Sequence, residues 1–93
     1  MKRSEVASVV TEVLVAVVEA VGAATPTLAP DLRPIGTLPN FDSVLAEDTT
    51  VEIFEKLGLD EDHDINPFVK GNRAASLAEV IDTLHSLVAG EDN

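Results

Sequence analysis

The chain has 93 residues and contains no cysteine, tryptophan or tyrosine, and it carries six basic residues against seventeen acidic ones. Without cysteine it has no disulfide, no thiol nucleophile and no thiolate-held metal or cluster, as expected of a cytoplasmic protein. Three phenylalanines are the only aromatic residues, too few for stacking on nucleic-acid bases. A formal charge of −11 excludes ready binding to phosphate backbones or anionic membrane surfaces. The same charge keeps a small protein soluble and favours steered encounters with basic patches on other proteins. No stretch approaches the ~20 apolar residues of a membrane span. Glu5, Glu12 and Glu19 interrupt the Val-rich first segment too often for a signal peptide, so no targeting segment is expected.

What is present is a core-forming set of aliphatics. Apolar residues make up 45% of the chain, mainly Val, Leu and Ala, in a length that suits one small domain. From about Ser4 to Val21, Val6, Val9, Val10, Val13, Leu14, Val17 and Val21 recur at helical spacing, with Ser4 as the expected N-cap and Gly22 as the stop. Residues 23–41 carry Pro26, Pro30, Pro34 and Pro39, which forbid a regular helix and leave room only for a single turn near Pro30–Leu32. A connection of this length is usually functional or anchored, and Leu28, Leu32, Ile35, Leu38 and Phe41 are the candidate anchors.

A second helix is expected over 43–57, closed by Gly58. On its wheel Ala46, Thr50, Ile53, Phe54 and Leu57 share one side, with Val44 and Val51 at the edge. Asp48, Glu52 and Glu55 fall opposite, beside Leu45. A short third helix is expected over 66–70, with Pro67 near its first position, followed by a turn at Gly71-Asn72. The last helix, 76–88, has Ser76 and Glu79 as a capping box, a stripe of Leu77, Val80, Ile81, Leu84 and Val88, and Gly90 beyond its end. The pattern predicts an all-α fold: a small four-helix bundle of three main helices and a short one, with a long proline-rich loop between the first two.

Little in this pattern supports catalysis. His63 lies in an acidic loop and His85 on the polar side of the last helix, neither with a nucleophile at a motif spacing. No Gly-rich phosphate loop and no recognisable carboxylate pair is present. Asp60, Asp62 and Asp64 alternate as calcium-loop ligands do, but Ile65 stands at the turn-glycine position and Gly71 at the bidentate-acid position, so no metal site is expected. Asp42-Ser43 remains. As a pair it is explained by helix capping alone. Its surroundings add to it: Leu38-Pro39 before, Val44 after, an acidic helix beginning there, and Leu57-Gly58-Leu59 ending that helix.

At these residues the chain resembles the acyl carrier proteins, from about Ser4 to Val88. That family places an Asp-Ser-Leu motif at the start of its second helix, after a long loop, and closes the helix with an apolar residue and a glycine at this spacing. Here Val44 replaces the usual Leu, and Glu47 stands where an apolar residue is common. The stretch from Asn66 to Gly71 is also unlike the family, and these departures suit a specialised member serving one pathway.

The resemblance implies a carrier without catalytic activity. Ser43 would be the attachment point of a 4′-phosphopantetheine arm, with Asp42 beside it, and the arm's thiol would hold an acyl group as a thioester. It implies a monomer visited by a phosphopantetheinyl transferase and by ligase, synthase or acyltransferase enzymes with basic docking patches, in fatty-acid, lipid or polyketide-type biosynthesis. Val44 and Leu45 would supply a small apolar contact, and Glu47, Asp48, Glu52 and Glu55 the charge. Two other readings share the residues: a carrier of amino acids or peptides, and a helical interaction module in which Ser43 is only part of a helix start.

Overall fold

The computed structural model describes residues 2–24, 27–59 and 65–91. The acidic loop over 60–64, with His63, and Pro26 lie outside them. The first helix, α1, spans Arg3–Ala20 and buries Val6, Val10, Val13, Leu14 and Val18 completely or nearly so. That burial outweighs the weak helix preference of its β-branched residues. Its N-cap is Lys2 and not Ser4: the Lys2 amide donates to Glu5 Oε1 at 3.0 Å, and the Glu5 and Val6 amides donate to the Lys2 carbonyl. The helix stops at Gly22 as expected. Gly22, at φ 77°, donates to Glu19 O and Ala23 donates to Val18 O, which satisfies the last carbonyls.

The proline-rich connection makes one turn, α2 (Pro34–Thr37), in which Ile35 and Gly36 already depart from helical angles. At Pro30–Leu32 the chain makes a tight turn, closed by Leu32 N donating to Ala29 O. Leu38 and Phe41 are buried, and Leu28, Leu32 and Ile35 pack against the core from the side. The connection is therefore anchored from Leu28 to Phe41.

Helix α3 spans Ser43–Leu57 and ends at Gly58, in the left-handed conformation, with the amides of Gly58 and Leu59 returning to Glu55 O and Phe54 O. The buried face is Ala46, Thr49, Thr50, Ile53, Phe54 and Leu57. Thr49 and Thr50 are tolerated inside because each hydroxyl donates to the carbonyl four residues back, at 2.7 Å. Thr49 rotates the centre of this face away from Val44 and Val51. Those two, expected at its edge, are 66% and 46% exposed, while Leu45, expected on the wet side, is half-buried against the core.

The short helix expected over 66–70 does not form. Asn66 Oδ1 accepts from Phe68 N at 3.0 Å and Asn66 O from Val69 N, which closes one turn around Pro67. The chain then reverses at Gly71-Asn72, with Gly71 at φ 66°, so that β1 (Val69–Lys70) pairs antiparallel with β2 (Arg73–Ala74). Two residues between the turn and the reversal cannot complete a second helical turn, and glycine at the first loop position suits a two-residue hairpin.

Helix α4 spans Leu77–Glu91 and runs through Gly90, past its expected end. Helix α1 packs against both α3 and α4, and the three share one core with Leu38, Phe41 and Phe68. The chain is thus mostly helical, and its described residues form four helical segments and a small hairpin. Among the described residues no helix is long and apolar enough to cross a membrane.

Candidate functional site

Ser43 is the first residue of α3 and is exposed. Phe41, two residues earlier, is buried and packs edge-on against Phe68 at 5.2 Å between ring centroids. That pair fixes where the chain leaves the loop. Asp42 then caps the helix: its Oδ1 accepts from Leu45 N at 2.9 Å, and its carbonyl accepts from Ala46 N. The first amides of an α-helix have no acceptor within it. Here those of Ser43 and Val44 make no bond to any described residue, so two donors and the positive end of the helix dipole stand at the serine. The arrangement can accommodate a negatively charged group on the Ser43 oxygen.

The outermost stripe of α3 is Val44, Asp48, Val51 and Glu55, with Glu47 and Glu52 exposed on its flanks. Two valines two turns apart, framed by carboxylates, make a narrow apolar track inside a negative field. Leu45 contributes little to this outer surface because it leans on the core. Val51 belongs to the track although its place on the wheel suggested the margin of the buried side.

The start of α4 is built differently. Ser76 N donates to Glu79 Oε1 at 3.0 Å and Glu79 N to Ser76 Oγ at 3.3 Å, the expected capping box. Leu77 N donates to Leu32 O at 2.7 Å and Ala78 N to Pro30 O at 2.9 Å, so carbonyls of the proline-rich connection take the remaining donors. Arg73 grips Glu79 through both guanidinium ends, at 2.7 and 3.0 Å, and Lys70 Nζ stands 4.0 Å from the same carboxylate. The Arg73 hydrogen bonds, with that from Ser76 N, hold the Glu79 carboxyl down at about 2, against an ordinary 4.5. The same bonds raise Arg73. Arg33 Nη1 and Arg73 Nη1 both donate to Ala74 O, at 3.3 and 3.4 Å. This cationic cluster was not visible in the sequence, because Arg33 lies far from the hairpin along the chain.

His85 is half-buried on α4 and not exposed as its position on the polar side suggested. Among the described residues no group of three His, Cys, Asp or Glu side chains is placed to hold a metal ion. Compared with protein-family models, curated proteins and solved structures, the chain gives no match.

Proposed function

We propose that the protein is an acyl carrier protein, a small helical-bundle carrier that holds an acyl group on a 4′-phosphopantetheine arm at Ser43. The observation that carries this reading is the exposed Ser43 at the head of α3, beside two amides without a partner among the described residues. These features fit a phosphodiester: its charge meets the helix dipole, an advantage of about 0.3–1 kcal/mol at an exposed site.

Ser43 supplies the nucleophilic hydroxyl in the loading reaction. Its oxygen forms a bond to the pantetheine-side phosphorus of coenzyme A, and the phosphoanhydride bond breaks. Adenosine 3′,5′-bisphosphate leaves, and the hydroxyl proton passes to a base of the transferase. Asp42 keeps its carboxylate engaged with Leu45 N, which fixes the helix start and with it the direction of the serine. Once bound, the arm supplies a terminal thiol for thioester formation, which a chain without cysteine lacks. Val44 and Val51 meet an apolar spot on the partner, Leu45 supports them from below, and Glu47, Asp48, Glu52 and Glu55 meet its Lys and Arg residues. Rim charges of this kind set encounter rate and orientation more than affinity, which suits a monomeric cytoplasmic shuttle that leaves each enzyme after each step.

The test is incubation with coenzyme A and a broad-range phosphopantetheinyl transferase. Intact mass rises by one phosphopantetheine in the native chain and stays unchanged in Ser43→Ala, with helical circular dichroism equal in both. A native chain that gains no mass is a helical interaction module, with Ser43 a simple helix-start residue.

A further inference from the structure

The chain has six lysines and arginines, and three of them, Arg33, Lys70 and Arg73, gather at the hairpin. Lys70 and Arg73 are direct cross-strand partners, so their side chains share a face, where like charges oppose one another. Arg33 joins them because its guanidinium and that of Arg73 are drawn to one carbonyl, Ala74 O. Among the described residues Glu79 is the one carboxylate that pairs with any of the three. Among the described residues one carboxylate therefore pairs within a group of three cations, in a protein whose net charge is strongly negative. Gathering cations this way is unfavourable by itself, and an added anion relieves it.

The donors divide by role. Arg73 is committed to Glu79 at both ends and acts as a positioning residue. Arg33 uses one nitrogen on Ala74 O, and the rest of its fork meets no acceptor among the described residues. Lys70 is 58% exposed, with a single contact at 4.0 Å. Arg33 and Lys70 thus offer charge-assisted donors toward water, in the geometry that carboxylates accept.

The hairpin and the start of α3 are joined through one aromatic contact. Ser43 is two residues past Phe41, and Lys70 is two residues past Phe68, and those two rings touch. Both rings are buried, so the core at this point is filled by aromatic side chains.

We infer that the hairpin is an anion-recognition site for the far end of the carried group, and that the cargo is an acyl chain ending in a carboxylate. The inference rests on the carrier reading. Its terminal carboxylate takes hydrogen bonds from Arg33 and Lys70, and an uncharged acyl end of the same length makes no such contact. The strongly negative net charge sharpens the choice, because it disfavours a carboxylate over most of the surface.

The test loads the full chain from glutaryl-coenzyme A or, as a neutral counterpart of equal chain length, pentanoyl-coenzyme A, using the transferase. Amide chemical shifts are then compared between the two forms. The glutaryl form shifts the amides of Arg33 and of residues 69–74, and the pentanoyl form leaves them as in the unacylated arm-bearing protein. Salt at about 1 M, where the screening length is about 3 Å, removes the difference. Lys70→Gln reduces the glutaryl-specific shifts at least by half. Arg33→Gln removes most of the remainder, and if that variant unfolds, the exposed Lys70→Gln still decides. Identical spectra for the two acyl forms, or glutaryl-specific shifts untouched by Lys70→Gln, overturn the inference while leaving the carrier reading in place. In that event the cations of the hairpin face acidic side chains of a partner protein. A chain that gains no mass from either donor removes the carrier reading itself, and the cargo inference with it.

Discussion

The first turns of α3 and α4 begin from the same problem and solve it to different degrees. Each opens on a capping residue, Asp42 or Ser76, that satisfies the third amide through its side chain and the fourth through its carbonyl. At α4 the first two amides are also bound, by Leu32 O and Pro30 O, and Glu79 is locked to Arg73. At α3 the first two amides have no partner among the described residues, and the residue that carries one of them is an exposed serine. A helix start that serves only structure is closed on all sides, whereas one that is to receive a group must keep donors and a hydroxyl in reserve.

This contrast can be probed most directly by hydrogen exchange. The Leu77 and Ala78 amides should exchange more slowly than those of Ser43 and Val44 by on the order of a hundredfold or more, after correction for sequence. Equal rates at the two starts would dissolve the distinction. The next largest effect falls on the aromatic pair that ties the two regions together. Phe68 is fully buried, so Phe68→Ala should cost about 3–5 kcal/mol and lower the melting temperature by well over 10 °C, read by calorimetry. A loss below 1 kcal/mol would mean that the hairpin is not held by that ring.

Serine substitutions sharpen the comparison further. Ser76→Ala removes a cap and should cost about 1 kcal/mol, while Ser43→Ala, at an exposed position that caps nothing, should stay within about 0.5 kcal/mol. Denaturant midpoints at constant m-value measure both. The smallest effect is electrostatic. Glu79 has its carboxyl lowered in the folded state from 4.5 to about 2, so its contribution is complete above pH 4.5 and is lost as pH falls through about 2. The melting-temperature gap between the native chain and Glu79→Gln should therefore be constant from neutral pH to 4.5 and close below it. Because the pair is solvent-exposed, the gap should be small and shrink with salt.

Much of the helical framework is legible in the chain, because the signals are local. The apolar spacing of α1, α3 and α4, the stops at Gly22 and Gly58, the Asp42 cap and the Ser76–Glu79 box all lie within a few residues of what they specify. Residues 66–74 are misread for the opposite reason. Pro67 is acceptable at a helix start, and strands of two residues are too short to show alternation, so only Gly71-Asn72 hinted at the reversal. The exposed face of α3 is misassigned because Thr49 counts as polar until its hydroxyl is seen bonded to Leu45 O. The meeting of Arg33 with Arg73 over Ala74 O depends on the path of the whole connection, and no local pattern encodes it.

The bonds from Leu77 and Ala78 to Leu32 and Pro30 also bear on the order of folding. The acceptors lie about half the chain earlier, so the head of α4 can be completed only after a large loop has closed. Docking the rest of α4 on α1 closes a larger loop still, since Arg3 and Asp82, which pair across the two helices, lie 79 residues apart. Substitutions at the Leu32 or Ala78 end of this clasp should then leave the refolding rate nearly untouched and accelerate unfolding, as contacts made after the transition state do.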